Sequence, residues 1–292
     1  MEFRGAITAL VTPFRNGEVD EDAYRAFIEW QIEQGIHGLV PCGTTGESAT
    51  LSHAEHKRVI RICVDQVKGR VPVLAGAGSN NTREAIELTK DAKEAKADGA
   101  LLITPYYNKP TQAGLAAHFK AIGERVELPL ILYNVPSRTA VNLLPETIAE
   151  IKSAVPHVIG VKEATGDLNQ VSRVAEFCGE DFQILSGDDF TALPTMAIGG
   201  CGVISVVSNF VPKMMSEMCE AALAGDYPKA RKLHFAMSPL YRAAFLETNP
   251  APAKEALAMM GRFPFEVRLP MVPLSPQNKE KLRTALANAG LV

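Results

Sequence analysis

The chain has 292 residues, 47% hydrophobic and 22% charged, which excludes a disordered or fibrous protein and leaves enough apolar surface for a sizeable core. Thirty Lys plus Arg against 33 Asp plus Glu give a net charge of −3, so no overall positive field draws nucleic acid or an anionic membrane surface, and small molecules are the expected partners. The length suits one (β/α)8 barrel of about 250 residues with an appendage.

The first residues show no basic, apolar and small-residue series of a secretory signal. Cys42, Cys63, Cys178, Cys201 and Cys219 are odd in number and contain no CxxC pair, as suits buried thiols in a reducing compartment. A cytoplasmic protein is expected. Apolar β-type runs then alternate with helical patterns, at residues 6–11, 38–42, 72–76, 100–104, 129–134, 158–162, 183–186 and 203–207. Each is almost wholly apolar, as strands buried on both faces require. Residues 22–34 and 82–97 have the three- and four-residue spacing of amphipathic helices, and Ser52 with Glu55 forms a capping box ahead of Val59, Ile60 and Val64. The uncharged stretch 190–212 is long enough to span a bilayer, but its Pro, Gly and hydroxyl residues mark it as a buried barrel segment. After Gly225 the strand pattern stops. Residues 1–224 are therefore expected to form a (β/α)8 barrel, and residues 225–292 a C-terminal helical region packed on the barrel or on another subunit. An open doubly wound sheet is the alternative, disfavoured by the even spacing and by the lack of a GxGxxG fingerprint.

In such a barrel, reactive groups sit at the C-terminal ends of strands. Lys162 ends the run 158–162 and, by two-residue alternation, shares an inward face with Val158 and Gly160. Burial disfavours the charged form of an amine, and a neutral amine can attack a ketone to give a Schiff base. Pairing with a carboxylate such as Glu163 is the other reading. Tyr133 ends the preceding strand, where its phenol can shuttle protons or simply be a buried aromatic. Gly43-Thr44-Thr45-Gly46-Glu47 follows the second run, and its glycines suggest a tight turn exposing backbone N–H groups beside two hydroxyls, a cradle for a carboxylate. Tyr106 and Tyr107 lie in a proline-bounded loop able to reach another subunit. Arg138, after the Tyr133 strand, can grip a carboxylate bidentately or be an ordinary surface charge. His53 and His56 lack a third ligand, so no metal is expected there, and Asp188-Asp189 reads as a helix N-cap.

Together, Gly43–Glu47, residues 133–139, residues 160–166 and Ser186-Gly187-Asp188-Asp189 resemble the pyruvate-dependent class I aldolases of the dihydrodipicolinate synthase and N-acetylneuraminate lyase family. The likeness covers essentially the whole chain, with the motifs in order on the expected strands. It implies Lys162 as Schiff-base nucleophile and a proton relay of Thr44, Tyr133 and a neighbouring subunit's Tyr107. It also implies Thr45 on the pyruvate carboxylate, and Gly187 and Ile204 lining the pocket. Arg138 resembles the synthase branch, where it holds the carboxylate of L-aspartate 4-semialdehyde; sugar-acid lyases usually carry another residue. Ser48, Ala49, His53, His56, Asn80, Glu84 and Tyr106 match lysine-sensitive members and imply an L-lysine effector site. The resemblance further implies a homo-oligomer, a tetramer of tight dimers, with no cofactor, no metal, no nucleic acid and no membrane. A keto-acid-binding barrel without turnover is disfavoured by the intact Lys162, Tyr133 and Thr44. A phosphate-binding barrel isomerase is disfavoured because Gly199-Gly200-Cys201-Gly202 precedes the eighth strand, on the wrong side of a barrel.

Overall fold

The computed structural model describes residues 2–292; Met1, at the start of the expected barrel span, lies outside the described residues. The apolar runs become strands β1 (Gly5–Ala9), β4 (Gly38–Val40), β5 (Leu74–Gly76), β6 (Gly99–Ile103), β7 (Leu130–Asn134), β8 (Val158–Glu163), β9 (Gln183–Ser186) and β10 (Gly202–Ser205). Between the first two, β2 (Phe14–Arg15) and β3 (Glu18–Val19) make a small hairpin. The eight long-range partners are all parallel, in the order β4-β1-β10-β9-β8-β7-β6-β5. A bridge between Leu39 and Val73 closes the circle, with Leu39 N donating to Pro72 O at 3.0 Å and Gly76 N to Pro41 O at 2.9 Å. The fold is a (β/α)8 barrel.

Helices α1 (Glu21–Glu33), α2 (His53–Val67), α3 (Thr82–Glu94), α4 (Gln112–Gly123), the short α5 (Pro136–Thr139), α6 (Pro145–Ala154), α7 (Leu168–Cys178), α8 (Ala192–Ala197) and α9 (Pro212–Leu223) join the strands. The Ser52–Glu55 capping box forms as the sequence suggests: each side chain satisfies an amide at the start of α2. Residues 190–212 fold into α8, β10 and a short buried turn. Among the described residues no helix is long and apolar enough to cross a membrane. All five cysteines are free. The chain ends in α10 (Tyr227–Ala243), α11 (Ala251–Met259) and α12 (Pro276–Asn288).

The apolar side chains form two layers. An outer layer fills the space between strands and helices, while Phe3, Ile7, Val40, Leu74, Leu101, Ile131, Leu185 and Ile204 pack the lumen together with Tyr133. Val158 does not share the inward face that alternation with Lys162 suggests. It belongs to the outer layer, because Leu130 pairs with Val158 but Ile131 pairs with Gly160. The extra residue, Ile159, packs against the lumen cluster, and regular alternation resumes only at Gly160. Gly160 itself has no room for a side chain: a Cβ there would lie 2.3 Å from Gln183 O and 2.8 Å from Ile131 Cδ1. The first strand also stops before the apolar run does, since Val11 N leaves the sheet to bond Asn209 Oδ1 at 3.0 Å.

Candidate active site

Lys162 pairs in register with Tyr133 on β7 and Leu185 on β9. Only 6% of it is exposed, and its Nζ lies 4.1 Å from the centre of the Tyr133 ring. The electron-rich ring face stabilises a cation, but as a neutral partner rather than a counter-ion. The alternative of an ion pair with Glu163 is not realised. Glu163 occupies the opposite face of β8, where its carboxylate accepts from Asn134 Nδ2 (3.3 and 3.1 Å), Gln170 Nε2 (2.9 Å) and Thr165 N (2.9 Å). Burial pushes the Glu163 carboxyl above its ordinary range, and these hydrogen bonds oppose the rise. Gly187 supplies the space that Lys162 occupies: a Cβ there would stand 3.0 Å from Lys162 Cε and 2.6 Å from Ala164 Cβ. Ile204 packs with Tyr133 in the lumen cluster.

The loop after β4 folds as consecutive turns, with Gly46 N donating to Gly43 O (3.1 Å) and Glu47 N to Thr44 O (3.2 Å). Its left-handed residues are not the glycines but Cys42 and Glu47, both at φ 55. Gly46 is needed for space, since a Cβ would sit 3.1 Å from both Cys42 N and Leu10 O. A left-handed non-glycine residue costs about 1 kcal/mol or more and persists where its surroundings fix it. Glu47 is fixed in this way. Its buried carboxylate accepts from Lys254 Nζ at 2.5 Å and from Arg268 N at 3.1 Å. Lys254 is wholly buried, with Nζ 4.1 Å from the Phe14 ring centre; burial lowers its ammonium to about 8 while Glu47 pulls it back up. Beside this pair, the buried Thr45 accepts a hydrogen bond at its Oγ1 from Asn249 Nδ2 at 3.0 Å.

Sequence patterning does not single out Asn249, Lys254 or Arg268. The signals present are the Asn-Pro break at 249–250 and a lysine inside the otherwise mostly apolar segment 250–260.

A cavity of about 460 Å³ opens over this loop. Thr44, Ile103, Tyr133, Arg138 and Asn249 line it, and it continues past Ser48, Ala49, His53, His56, Glu84 and Tyr106. Thr45, Lys162 and Ile204 are buried and are not among its lining residues, but each is next to one: Thr45 bonds Asn249, and Lys162 and Ile204 pack with Tyr133. Arg138 is exposed and has no carboxylate partner among the described residues. Tyr107 is not brought into this group: it takes a left-handed φ of 72 and stands 91% exposed on the surface. At the far end, His53 Nε2 meets Glu84 Oε1 at 2.8 Å, and Ser79 Oγ donates to the other oxygen. The Ser79 hydrogen bond, then His53, holds the Glu84 carboxyl below its ordinary value. Asn80 Nδ2 donates to Tyr106 O at 3.1 Å. Burial pushes the His56 imidazole down, and its Nδ1 has no partner among the described residues. Asp188 caps the turn that follows it, accepting from Phe190 N at 3.2 Å. Among the described residues no group of three His, Cys, Asp or Glu could hold a metal.

A parallel barrel with a buried lysine at a strand end, without an ion-pair partner among the described residues and against a tyrosine that lines a cavity of hydroxyls and one arginine, has the form of a lyase of the class I aldolase type. The model of the dihydrodipicolinate synthetase family matches residues 2–289, and the chain belongs to that family. Over 292 residues, all of both chains, it is 70% identical to the 4-hydroxy-tetrahydrodipicolinate synthase of Nitratidesulfovibrio vulgaris (strain Miyazaki F). It superposes with a TM-score of 0.98 on the dihydrodipicolinate synthase of Aquifex aeolicus, at 45% identity over 99% of each chain. The corresponding enzyme of Cyanidioschyzon merolae, solved with lysine bound, gives a TM-score of 0.96 at 40% identity over 99% of each chain. The chain is thus an enzyme, and a lyase.

One titration is measurable at the strand ends. Asp189 is buried, its Oδ2 accepts from Val206 N (3.2 Å) and Val207 N (3.1 Å), and burial raises its carboxyl to about 6. The unfolded group ionises near pH 4, so its stabilising contribution is complete below that pH and is lost as pH rises through about 6. Asp189→Asn should therefore gain about 2–3 kcal/mol on the wild type between pH 4 and pH 7 in denaturant unfolding. A pH-independent difference would show that Asp189 keeps one charge state across that range.

Proposed function

We propose that the chain condenses pyruvate with L-aspartate 4-semialdehyde through a Schiff base on Lys162, the 4-hydroxy-tetrahydrodipicolinate synthase reaction of the diaminopimelate route to L-lysine. The observation that carries this reading is a lysine in an apolar lumen, against a tyrosine ring, with no counter-ion among the described residues. Lys162 Nζ attacks the ketone carbon of pyruvate, and the carbinolamine loses water to give the imine. Tyr133, with Thr44 and the partner subunit's Tyr107, gives and takes the protons. Loss of a methyl proton forms an enamine, whose carbon attacks the aldehyde of the second substrate. The substrate's own amine then adds to the imine carbon, closes the ring and releases Lys162 as a free amine. Every proton is passed between side chains, substrate and water, so the sequence calls for no cofactor or metal.

Thr45 is assigned to the pyruvate carboxylate, Arg138 to the carboxylate of the semialdehyde, and Gly187 and Ile204 to the pocket wall. The exposure of Tyr107 supports a site completed by a second copy, within a tetramer of tight dimers. L-lysine is assigned to the cavity end formed by Ser48, Ala49, His53, His56, Asn80, Glu84 and Tyr106. A related enzyme solved with lysine bound supports that assignment. Both Glu84 oxygens are already engaged by His53 and Ser79, so an effector ammonium must replace or join one of those contacts.

Borohydride added with pyruvate should leave the mass of one reduced pyruvate on Lys162 alone; a different lysine, or no adduct, would overturn the Schiff base. Lys162→Ala should lower kcat by several orders of magnitude with the circular dichroism spectrum unchanged. Arg138→Ala should raise KM for the semialdehyde at least about tenfold, the worth of a charge-assisted contact, and that for pyruvate far less. Equal changes in both constants would remove Arg138 from its assigned place. Initial rates titrated with millimolar L-lysine should fall in the wild type and not in Glu84→Ala. An unaffected wild type would end the effector assignment.

A further inference from the structure

We infer that Asn249, brought to the barrel mouth by the C-terminal region, is a positioning residue that aims the Thr45 hydroxyl proton at the carboxylate of the keto-acid substrate. The inference rests on the proposed function and extends it to a residue more than 200 positions from the loop it serves.

A threonine hydroxyl has one proton to give and two lone pairs to fill. Asn249 Nδ2 donates to Thr45 Oγ1 at 3.0 Å, with both side chains buried. Its N–H fills a lone pair of that oxygen, and the hydroxyl proton is left to point elsewhere. Among the described residues no acceptor takes it. A carboxylate placed over the Gly43–Glu47 loop would, and a charge-assisted O–H bond is about twice as strong as a neutral one. The geometry is held from two sides. Asn249 immediately precedes the segment carrying Lys254, which forms the buried ion pair with Glu47, two residues beyond Thr45. The links 249–45 and 254–47 thus clamp the C-terminal segment against the loop in a fixed register. Asn249 also lines the cavity, and its Oδ1 is buried without a partner among the described residues, so the amide has no second hydrogen bond that would favour the turned orientation. Were the amide turned the other way, its oxygen would consume the Thr45 proton and a bound carboxylate would find no donor.

The test measures pyruvate saturation of the borohydride-trapped adduct, together with KM for both substrates, in Asn249→Ala, Asn249→Asp, Thr45→Val and the corresponding double variants. An aspartate carboxylate accepts rather than donates, so it draws the Thr45 proton inward. Asn249→Asp should raise the half-saturating pyruvate concentration about 10- to 100-fold, the range of a lost hydrogen bond to a charged group, while KM for the semialdehyde stays within about twofold. Asn249→Ala should have a smaller effect in the same direction. It adds no charge, so it carries the test if the aspartate chain does not fold. Thr45→Val should reproduce the loss, and adding Asn249→Ala to it should cost nothing further, because one substitution has already removed what the other acts through. Half-saturation unchanged in the folded Asn249 variants would overturn the inference, as would a full Asn249→Ala penalty persisting in the Thr45→Val background. The wild-type adduct separates the two levels: if it fails to form, the Schiff-base reading falls, and if it forms normally while the variants saturate like the wild type, only the role of Asn249 falls.

Discussion

The site depends on a carboxylate and an ammonium that share one dry contact at the barrel mouth. Glu47 and Lys254 are both essentially without exposure, and transferring two such charges from water costs several kcal/mol each, which their attraction offsets only with good geometry and further hydrogen bonds. Both conditions hold: Arg268 N occupies the second carboxylate oxygen, and the Phe14 ring faces the ammonium. The pair therefore contributes position more than stability. It holds Glu47 in a left-handed conformation and, with it, the loop that presents Thr44 and Thr45. Loss of either partner would strand the other as a buried charge, at a cost of about 3–5 kcal/mol. The barrel strands alone do not complete the mouth; the C-terminal region does.

Deeper in the lumen, the chemistry of adjacent residues on one strand is separated by backbone alternation. Lys162 enters an apolar space, and Glu163, its neighbour, is turned outward into a cage of neutral donors from Asn134, Gln170 and Thr165. Were the two side chains on one face, they would meet as an ion pair instead. The extra residue at Ile159 decides the outcome, because removing it would move every later side chain of β8 to the other face. The bare Gly187 then leaves the lysine stem a channel that any larger residue would fill.

The strands were legible because most are apolar runs with a hydroxyl, amide or charged residue at or just beyond the end, and the barrel follows from eight such runs at even spacing. Thr44, Tyr133 and Arg138 were legible for the same reason, since each lies at or just beyond a strand end. The end of the first strand was less so, because Leu10 and Val11 stay apolar and buried beyond it, Leu10 N still bonding Val40 O and Val11 N turning to Asn209. Lys162 was expected to face inward on the strength of Val158, which faces outward; a bulge has no pattern of its own in an apolar strand. The local sequence suggests that its glycines make the turn after β4, yet Cys42 and Glu47 take the left-handed conformations. Only the distant partners of Glu47 explain why. Asn249, Lys254 and Arg268 were not legible, since their roles arise from contacts across 204 to 221 residues and local periodicity carries no such information.

The continuity of the cavity gives the proposed effector end a physical route to the proposed catalytic end. Asn80, just before α3, donates to Tyr106 O and accepts from Asn108 Nδ2 at 2.9 Å, so the loop bearing Tyr107 is tied by its backbone to the segment that carries Glu84. A ligand that engages Glu84 must compete with His53 and Ser79, and movement of this segment reaches the Tyr107 loop through the two asparagine side chains that bond backbone carbonyls across the gap. Such a link transmits inhibition only if the ligand binds two arrangements of the loop with different affinity. The same difference must then act in reverse. If lysine binds the arrangement that withdraws Tyr107, pyruvate held on Lys162 favours the other one, and each ligand weakens the other by the same factor.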